Sequence, residues 1–288
     1  MARNQAAQTA YGPMLLAAVE QHEPPSRRLV DDDLAAAFLP ARIRWLVAAT
    51  RPALLRKWVI AAMDRSGPGL WVNLTCRKRF IADRIDEAGE NIDAVVILGA
   101  GLDTLAYRLA RRTRIPVFEV DQAVNVARKA TTVRRALGAL PLSVRLVALD
   151  FERDDLLTTL AEHGYRTAFR TFFVCEGVTQ YLTEAGVRRT MEGLRPAAPG
   201  SRLVFTYVHR DFIDGKNLYG SQRLYRRVVK KLWHFGLQPD QVADFLAEYG
   251  WRLIEQAGPE QLLQRYVEPT GRDLDASDLE WSVYAEKL

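Results

Sequence analysis

Four acidic residues follow apolar runs in the middle of the 288-residue chain: Asp103, Asp121, Asp150 and Glu176. The first run, Val95-Val96-Ile97-Leu98, leads into Gly99-Ala100-Gly101-Leu102-Asp103-Thr104. An unbroken apolar run fits a parallel strand buried on both faces, and two glycines directly after it let the backbone turn tightly against a ligand. Asp121 closes the next run about twenty residues after Gly101, the spacing at which the second strand of a βαβ unit brings a carboxylate to ribose hydroxyls. Together they read as a nucleoside-cofactor site, although the glycine pair alone equally suits a turn that binds nothing.

The third glycine of the dinucleotide pattern is absent, because position 104 is Thr. An acid at position 103 would oppose a pyrophosphate at a helix N-terminus, whereas a sulfonium with an ammonium group would tolerate it. The reading therefore leans from NAD toward S-adenosylmethionine. Ligands of open α/β sheets bind beyond the carboxyl ends of the strands, which selects Gly99 to Thr104, Asp121-Gln122, Asp150-Phe151 and Glu176-Gly177. Asp121 suits ribose hydroxyls, Asp150 an adenine amino group, Phe151 a ring face and Glu176 a methionyl ammonium. Any one of these acids could merely cap a helix; four at successive strand ends point to a ligand.

The elements that must hold these loops follow from periodicity and breakers. Residues 1–92 read as a helical cap, with helices over Tyr11 to Gln21, Asp31 to Phe38, Arg42 to Ala49, Ala53 to Met63 and Thr75 to Ala88. Breaks fall at Pro24-Pro25, Pro40, Pro52 and Gly67-Pro68-Gly69. From position 93 strand and helix signals alternate, as in a parallel α/β sheet. Strands are expected at Ala94 to Leu98, Ile115 to Val120, Val144 to Leu149, Thr171 to Cys175, Arg202 to Val208, Arg252 to Gln256 and Trp281 to Ala285, the last two as a hairpin-like pair. The fold class is a doubly wound, seven-stranded Rossmann-like α/β sheet. Residues 93–288 form its domain, and 209–238, too long for an ordinary connection, read as a helical insertion between the fifth and sixth strands.

Apolar content of 48% and charged content of 26% are ordinary for a soluble domain. Two distant cysteines, Cys76 and Cys175, argue against a disulfide framework. No run approaches the ~20 apolar residues of a membrane span, and Asn4, Gln5 and Gln8 do not suit a signal peptide, so a cytoplasmic protein is expected. The net charge of +5 comes mainly from arginine, clustered at Arg27-Arg28, at Arg42, Arg44, Arg51, Arg56 and Lys57, and at Arg223, Arg226, Arg227, Lys230 and Lys231. The last cluster shares a helix with Leu224, Val228 and Leu232. Such a helix can meet a membrane or an acidic partner, but reads first as a solvated face over a buried stripe. Nucleic acid is not expected as a partner. A non-catalytic binding module that uses its basic helices is the competing class.

The runs Leu98-Gly99-Ala100-Gly101-Leu102-Asp103-Thr104, Phe118-Glu119-Val120-Asp121-Gln122, Leu149-Asp150-Phe151 and Cys175-Glu176-Gly177-Val178-Thr179-Gln180-Tyr181-Leu182 resemble the leucine carboxyl methyltransferase superfamily. The closer likeness is to its bacterial branch of tetracenomycin-type polyketide O-methyltransferases, to which His234-Phe235-Gly236-Leu237, Gly250-Trp251 and Arg265-Tyr266 are also similar. The resemblance covers roughly residues 70 to 288. It implies a class I fold binding S-adenosylmethionine, with Arg77 clamping the methionyl carboxylate, Gly99 and Gly101 along the methionyl portion, Asp121 on the ribose, Asp150 and Phe151 at the adenine and Glu176 near the methionyl end. Leu105 stands where relatives usually carry Arg.

The implied reaction is transfer of a methyl group to a carboxylate or hydroxyl of a small molecule, polyketide-like or another secondary metabolite. A protein carboxyl terminus is the alternative acceptor. A carboxylate is already ionised at neutral pH and needs no base, whereas a hydroxyl gains from one. His209, directly after the fifth strand, and Tyr207 within it are the candidate catalytic residues; closing a strand and plain packing are their ordinary alternatives. No histidine or cysteine cluster has zinc spacing, so no metal is expected. Oligomeric state is left open, a homodimer being compatible.

Overall fold

The computed structural model describes residues 11–288, the side chain of Lys230 excepted; the part of the expected cap over residues 1–10, with Asn4, Gln5 and Gln8, lies outside the described residues. Helices α1 (Tyr11–Glu20), α2 (Ala35–Phe38), α3 (Ala41–Ala49), α4 (Ala53–Asp64) and α5 (Leu70–Ala88) precede the sheet. Strands β1 (Ala94–Leu98), β2 (Val117–Asp121), β3 (Val144–Ala148), β4 (Thr171–Cys175) and β5 (Arg202–Val208) then alternate with α6 (Leu105–Arg112), α7 (Ala123–Leu137), α8 (Leu156–Glu162) and α9 (Glu184–Leu194). After α10 (Arg210–Ile213) and a helical stretch over 222–232 come α11 (Val242–Ala247), β6 (Trp251–Ala257) and β7 (Glu280–Lys287).

The seven strands form one sheet in the order β3-β2-β1-β4-β5-β7-β6. The first five pair in parallel, while β7 runs antiparallel between β5 and β6. Every residue of β1, β2 and β4 is buried, because helices cover both faces. Alternate residues go to opposite faces, as strand geometry requires. Val95, Ile97, Val117, Phe172 and Val174 meet α1, α2, α5 and α6 in one core. Val96, Leu98, Phe118, Val120, Phe173 and Cys175 meet α8, α9 and α11 in the other. Each fully buried Val, Leu or Phe contributes about 1.5–3 kcal/mol.

Two expected boundaries shift for physical reasons. The helix expected from Asp31 begins only at Ala35, because three acids find partners elsewhere: Asp31 pairs with Arg28 at 3.1 Å, Asp32 accepts from Thr104 at 2.6 Å and Asp33 meets Arg111 at 2.6 Å. Conversely α5 starts at Leu70 rather than Thr75. Gly69 precedes it at φ +72°, where a Cβ would stand 2.3 Å from the Ser277 amide nitrogen. Glycine there lets the long helix begin against the segment leading into β7.

Strand order reverses between β1 and β4, both of which pair with neighbours on either side. Leu98 is level with Val120, and Ile97 with Val174. The loops after β1, β2 and β4 therefore leave one edge together, and ligands of such sheets bind at this reversal.

Candidate active site

A cavity of about 580 Å³ opens at that edge, within the range of small-molecule sites. All nine residues read from the sequence as cofactor-binding line it: Arg77, Gly99, Gly101, Asp103, Asp121, Gln122, Asp150, Phe151 and Glu176. Gly99 has φ +69°, and a Cβ on it would lie 2.3 Å from Cγ2 of Val178. The glycine is required by the approach of the loop after β4 as well as by the turn.

Asp121 pins the glycine loop. Its Oδ2 accepts the Gly101 N–H at 2.7 Å, and its Oδ1 accepts from the Gln122 N–H and from Asn125 Nδ2, each at 2.7 Å. A carboxylate offers about four acceptor positions, so three are already used to shape the loop. Thr104, at the place of the missing third glycine, donates its hydroxyl to the buried Asp32 at 2.6 Å. Beneath the loop the buried Lys129 lies 2.7 Å from Glu119 and 3.3 Å from the Ala100 carbonyl, and Tyr107 donates to Glu119 at 2.5 Å. Burial pushes the Glu119 carboxyl up against the pull of Lys129.

Between α5 and the sheet edge lies a charge cluster. Arg77 donates Nε to Glu176 at 2.8 Å and Nη1 to both oxygens of Glu280 at 2.7 and 2.8 Å. Its Nη2 would lie 2.9 Å from a Cβ placed on Gly177. Lys78 pairs with Asp103 and stands 3.4 Å from Glu176. Burial works against ionised Asp103, but Lys78, with Arg108 and Lys129 beyond it, outweighs this and holds the carboxyl below its usual range. Asp103 also accepts the N–H of Leu105, the first residue of α6, at 2.6 Å. Contrary to the expectation from sequence, the charge of Asp103 is met by Lys78 and does not by itself select a cationic ligand. What faces the cavity is the whole cluster of two cations and three carboxylates, with formal charge −1.

His209 and Tyr207, the candidate catalytic residues, lie outside the cavity. Tyr207 continues the alternation of Leu203 and Phe205 onto the opposite face of β5, where its hydroxyl donates to Gln256 at 3.0 Å. Burial, with Asp278 and Asp240, raises its phenol above the ordinary value. His209 precedes α10, its Nδ1 3.9 Å from Asp211 and its ring 5.5 Å from that of Tyr219. Thr206, just before Tyr207, faces the site side and accepts the Gly177 N–H at 2.8 Å.

The remaining wall is mostly apolar. Met14, Met63, Leu70 and Leu74 come from the N-terminal helices, Tyr181 and Leu182 follow β4, and Leu224, Val228, Leu232 and Trp233 come from the insertion. The insertion is helical as expected, with a π-helical turn over Tyr225–Val229, and holds a small core of Val208, Phe212, Val229 and Leu279. Trp233 meets Tyr181 edge-on at 6.0 Å, and the His234 N–H donates to the Gln180 carbonyl at 2.7 Å. Gln180, Lys231 and His234 add polar side chains to this wall. Lys78, Asn125, Lys231, His234 and Glu280 carry no role in the sequence reading. Among the described residues no group of three or more His, Cys, Asp or Glu side chains could hold a metal, and no helix is long and apolar enough to cross a membrane.

This strand order, with β7 antiparallel inside the sheet and the glycine loop at the reversal, is the α/β fold of the class I methyltransferases. Among solved structures the chain is similar to "a putative methyltransferase" from Thermobifida fusca YX, at 18% identity and TM-score 0.60 over 81% of this chain and 88% of that one. It is also similar to a DUF574 family protein from Streptomyces avermitilis, at 14% identity and TM-score 0.54 over 81% and 91%. Residues 10–195 match the leucine carboxyl methyltransferase family, and the chain belongs to it. The match extends through the N-terminal helices, which the sequence resemblance does not reach. Proteins named "Putative S-adenosyl-L-methionine-dependent methyltransferase" are 33% identical over 194 residues in Mycobacterium avium (62% of this chain, 61% of that one) and 32% identical over 204 in Mycobacterium tuberculosis H37Rv (66% and 62%). The aligned part is thus about three fifths of those relatives' length.

Proposed function

We propose that the cavity binds S-adenosylmethionine and that the chain transfers its methyl group to an oxygen, carboxylate or hydroxyl, of a small apolar molecule. The observation that carries this is the cluster of Arg77, Lys78, Asp103, Glu176 and Glu280 beside the glycine loop. Its formal charge of −1 complements the +1 of a ligand with one ammonium, one carboxylate and one sulfonium. Arg77 and Lys78 offer donors to the ligand carboxylate, and Glu176 and Asp103 offer acceptors to its ammonium. Asp121 has about one acceptor position left for a ribose hydroxyl, and Phe151 and Asp150, which also line the cavity, offer a ring face and an acceptor to the base. The cofactor supplies an electrophilic methyl on sulfur.

The N-terminal helices and the 209–238 insertion act in this reading as a cap that orients the acceptor and keeps water out through Met63, Leu224, Leu232 and Trp233. Orientation alone is worth up to roughly 7–11 kcal/mol of barrier. A carboxylate acceptor requires no base; for a hydroxyl, His234 in the wall is better sited than His209. Membership of the leucine carboxyl methyltransferase family supports oxygen as the acceptor atom. The two buried free thiols, Cys76 and Cys175, support a reducing, cytoplasmic setting.

The test is thermal unfolding with and without cofactor. At 100 times its dissociation constant S-adenosylmethionine should stabilise the fold by about 2.7 kcal/mol. No shift with it or with S-adenosylhomocysteine, and a clear one with NAD, would overturn the reading. A mass spectrum of host metabolites gaining one methyl would then identify the acceptor.

A further inference from the structure

Helices α3 and α4 turn apolar side chains outward that nothing in the described chain covers. Trp45 and Leu46 are 70% and 53% exposed, and Leu54, Leu55 and Trp58 are 83%, 51% and 65% exposed. Each helix already has an inward face: Ile43 and Val47 on α3, and Val59, Ile60 and Met63 on α4, pack against the core. The outward residues therefore make a second apolar face. By helical spacing Trp45, Leu46 and Ala49 share one side of α3, and Leu54, Trp58 and Ala61 one side of α4.

Cations are interleaved with this face. Arg42, Arg44, Arg51, Lys57 and Arg65 are all exposed, and none has an ion-pair partner among the described residues. Arg56 is different: it is buried, pairs with Glu23 at 2.6 Å and locks the corner between the helices by donating to the Thr50 and Arg51 carbonyls at 3.2 and 3.0 Å. Asp64, the single acid between positions 41 and 65, accepts the Gly69 N–H at 2.8 Å. The outer surface is thus apolar and positive together.

We infer that α3 and α4 dock on an anionic lipid bilayer, with the two indoles and the leucines at the headgroup boundary and the five cations on lipid phosphates. A second copy of the chain would set the same positive charges against themselves. A nucleic acid offers phosphates but no apolar layer for Leu46, Leu54 and Leu55. An anionic bilayer supplies both, and tryptophan and snorkelling arginine favour that boundary.

Co-flotation of the full chain with vesicles tests this, using phosphatidylcholine alone and phosphatidylcholine mixed with phosphatidylglycerol. Binding to the mixed vesicles should exceed that to phosphatidylcholine by about tenfold or more and weaken with salt. The pair Trp45→Ala with Trp58→Ala, and separately Arg44→Glu with Lys57→Glu, should each cut it about tenfold at unchanged Tm. Should the tryptophan pair fail to fold, the charge-reversal pair reads the same surface through exposed side chains. Three results would overturn the inference: equal or no binding on the two vesicle types, tighter binding to duplex DNA than to the mixed vesicles, or a dimer in light scattering that the tryptophan pair abolishes. None of these readouts depends on methyl transfer.

Discussion

Arg77 and Glu280 lie 203 residues apart in the chain and 2.7 Å apart in space, joining the middle of α5 to the first residue of β7. Both are buried, and the same guanidinium holds Glu176. Removing one partner of a buried pair leaves an uncompensated charge, at a cost of about 3–5 kcal/mol. Arg77→Ala should therefore lower unfolding free energy by that amount in a denaturant titration; a loss under about 1 kcal/mol would contradict the coupling. Glu280→Gln takes the cluster from −1 to neutral. It should weaken S-adenosylmethionine several-fold more than S-adenosylhomocysteine, which lacks the sulfonium charge, and equal effects would count against charge matching.

Asp121 shapes the loop as well as facing the cavity. Asp121→Ala removes the acceptor of the Gly101, Gln122 and Asn125 hydrogen bonds, and bonds to a charged group are worth about 1.5–3 kcal/mol each. Calorimetry should show cofactor affinity falling by about a hundredfold, with a stability loss of about 2 kcal/mol or more in the same variant. Lost affinity at unchanged stability would mean that the loop holds itself.

Tyr207 and His234 should part company. Tyr207→Phe loses one hydrogen bond to Gln256, about 1 kcal/mol of stability, and should leave the methyl-transfer rate within about twofold. With a hydroxyl acceptor His234→Ala should slow the reaction by about a hundredfold, and with a carboxylate acceptor scarcely at all. A large loss for Tyr207→Phe would return it to the catalytic residues.

Burial pushes the thiols of Cys76 and Cys175 up to about 12. In the unfolded chain they ionise from an ordinary value of 9.0. Between these pH values the unfolded state has shed protons that the folded state keeps, so stability falls as pH rises, by about 1.4 kcal/mol per pH unit for each thiol. At neutral pH the effect is absent. Alkaline unfolding should be shallower in a Cys76→Ala, Cys175→Ala variant than in the parent, and parallel limbs would refute the assignment.

The sheet is legible in the sequence because strands buried on both faces read as apolar runs: β1, β4 and β5 begin and end as expected. The edge that lines the cavity is legible for the same reason at Asp103, Asp121 and Glu176, which follow or close β1, β2 and β4, while Asp150 follows the partly exposed β3. Glu280 is not, because an acid opening a terminal strand looks like a surface pleat position until the fold sets it beside Arg77. Lys78 escapes notice although it adjoins Arg77, since lysines are rarely buried without a partner and its partner Asp103 reads as a ligand contact. Tyr207 falls outside the cavity through register, because the two-residue period decides which face a strand residue serves, and His209 because the chain turns into α10 there and sets its ring against Tyr219.

The seventh strand carries one consequence for the newly made chain. It is synthesised after the other six, yet its place is between β5 and β6, so β6 can join the sheet only when β7 arrives. Until then Arg77 lacks Glu280, and the glycine loop stands beside a cluster short of one negative charge. The site is therefore completed late, by a contact of very long sequence separation, and such contacts slow folding. A nascent chain released before β7 would carry a five-stranded sheet, a loose β6 and an arginine held by Glu176 alone, a species for chaperones or proteases to recognise.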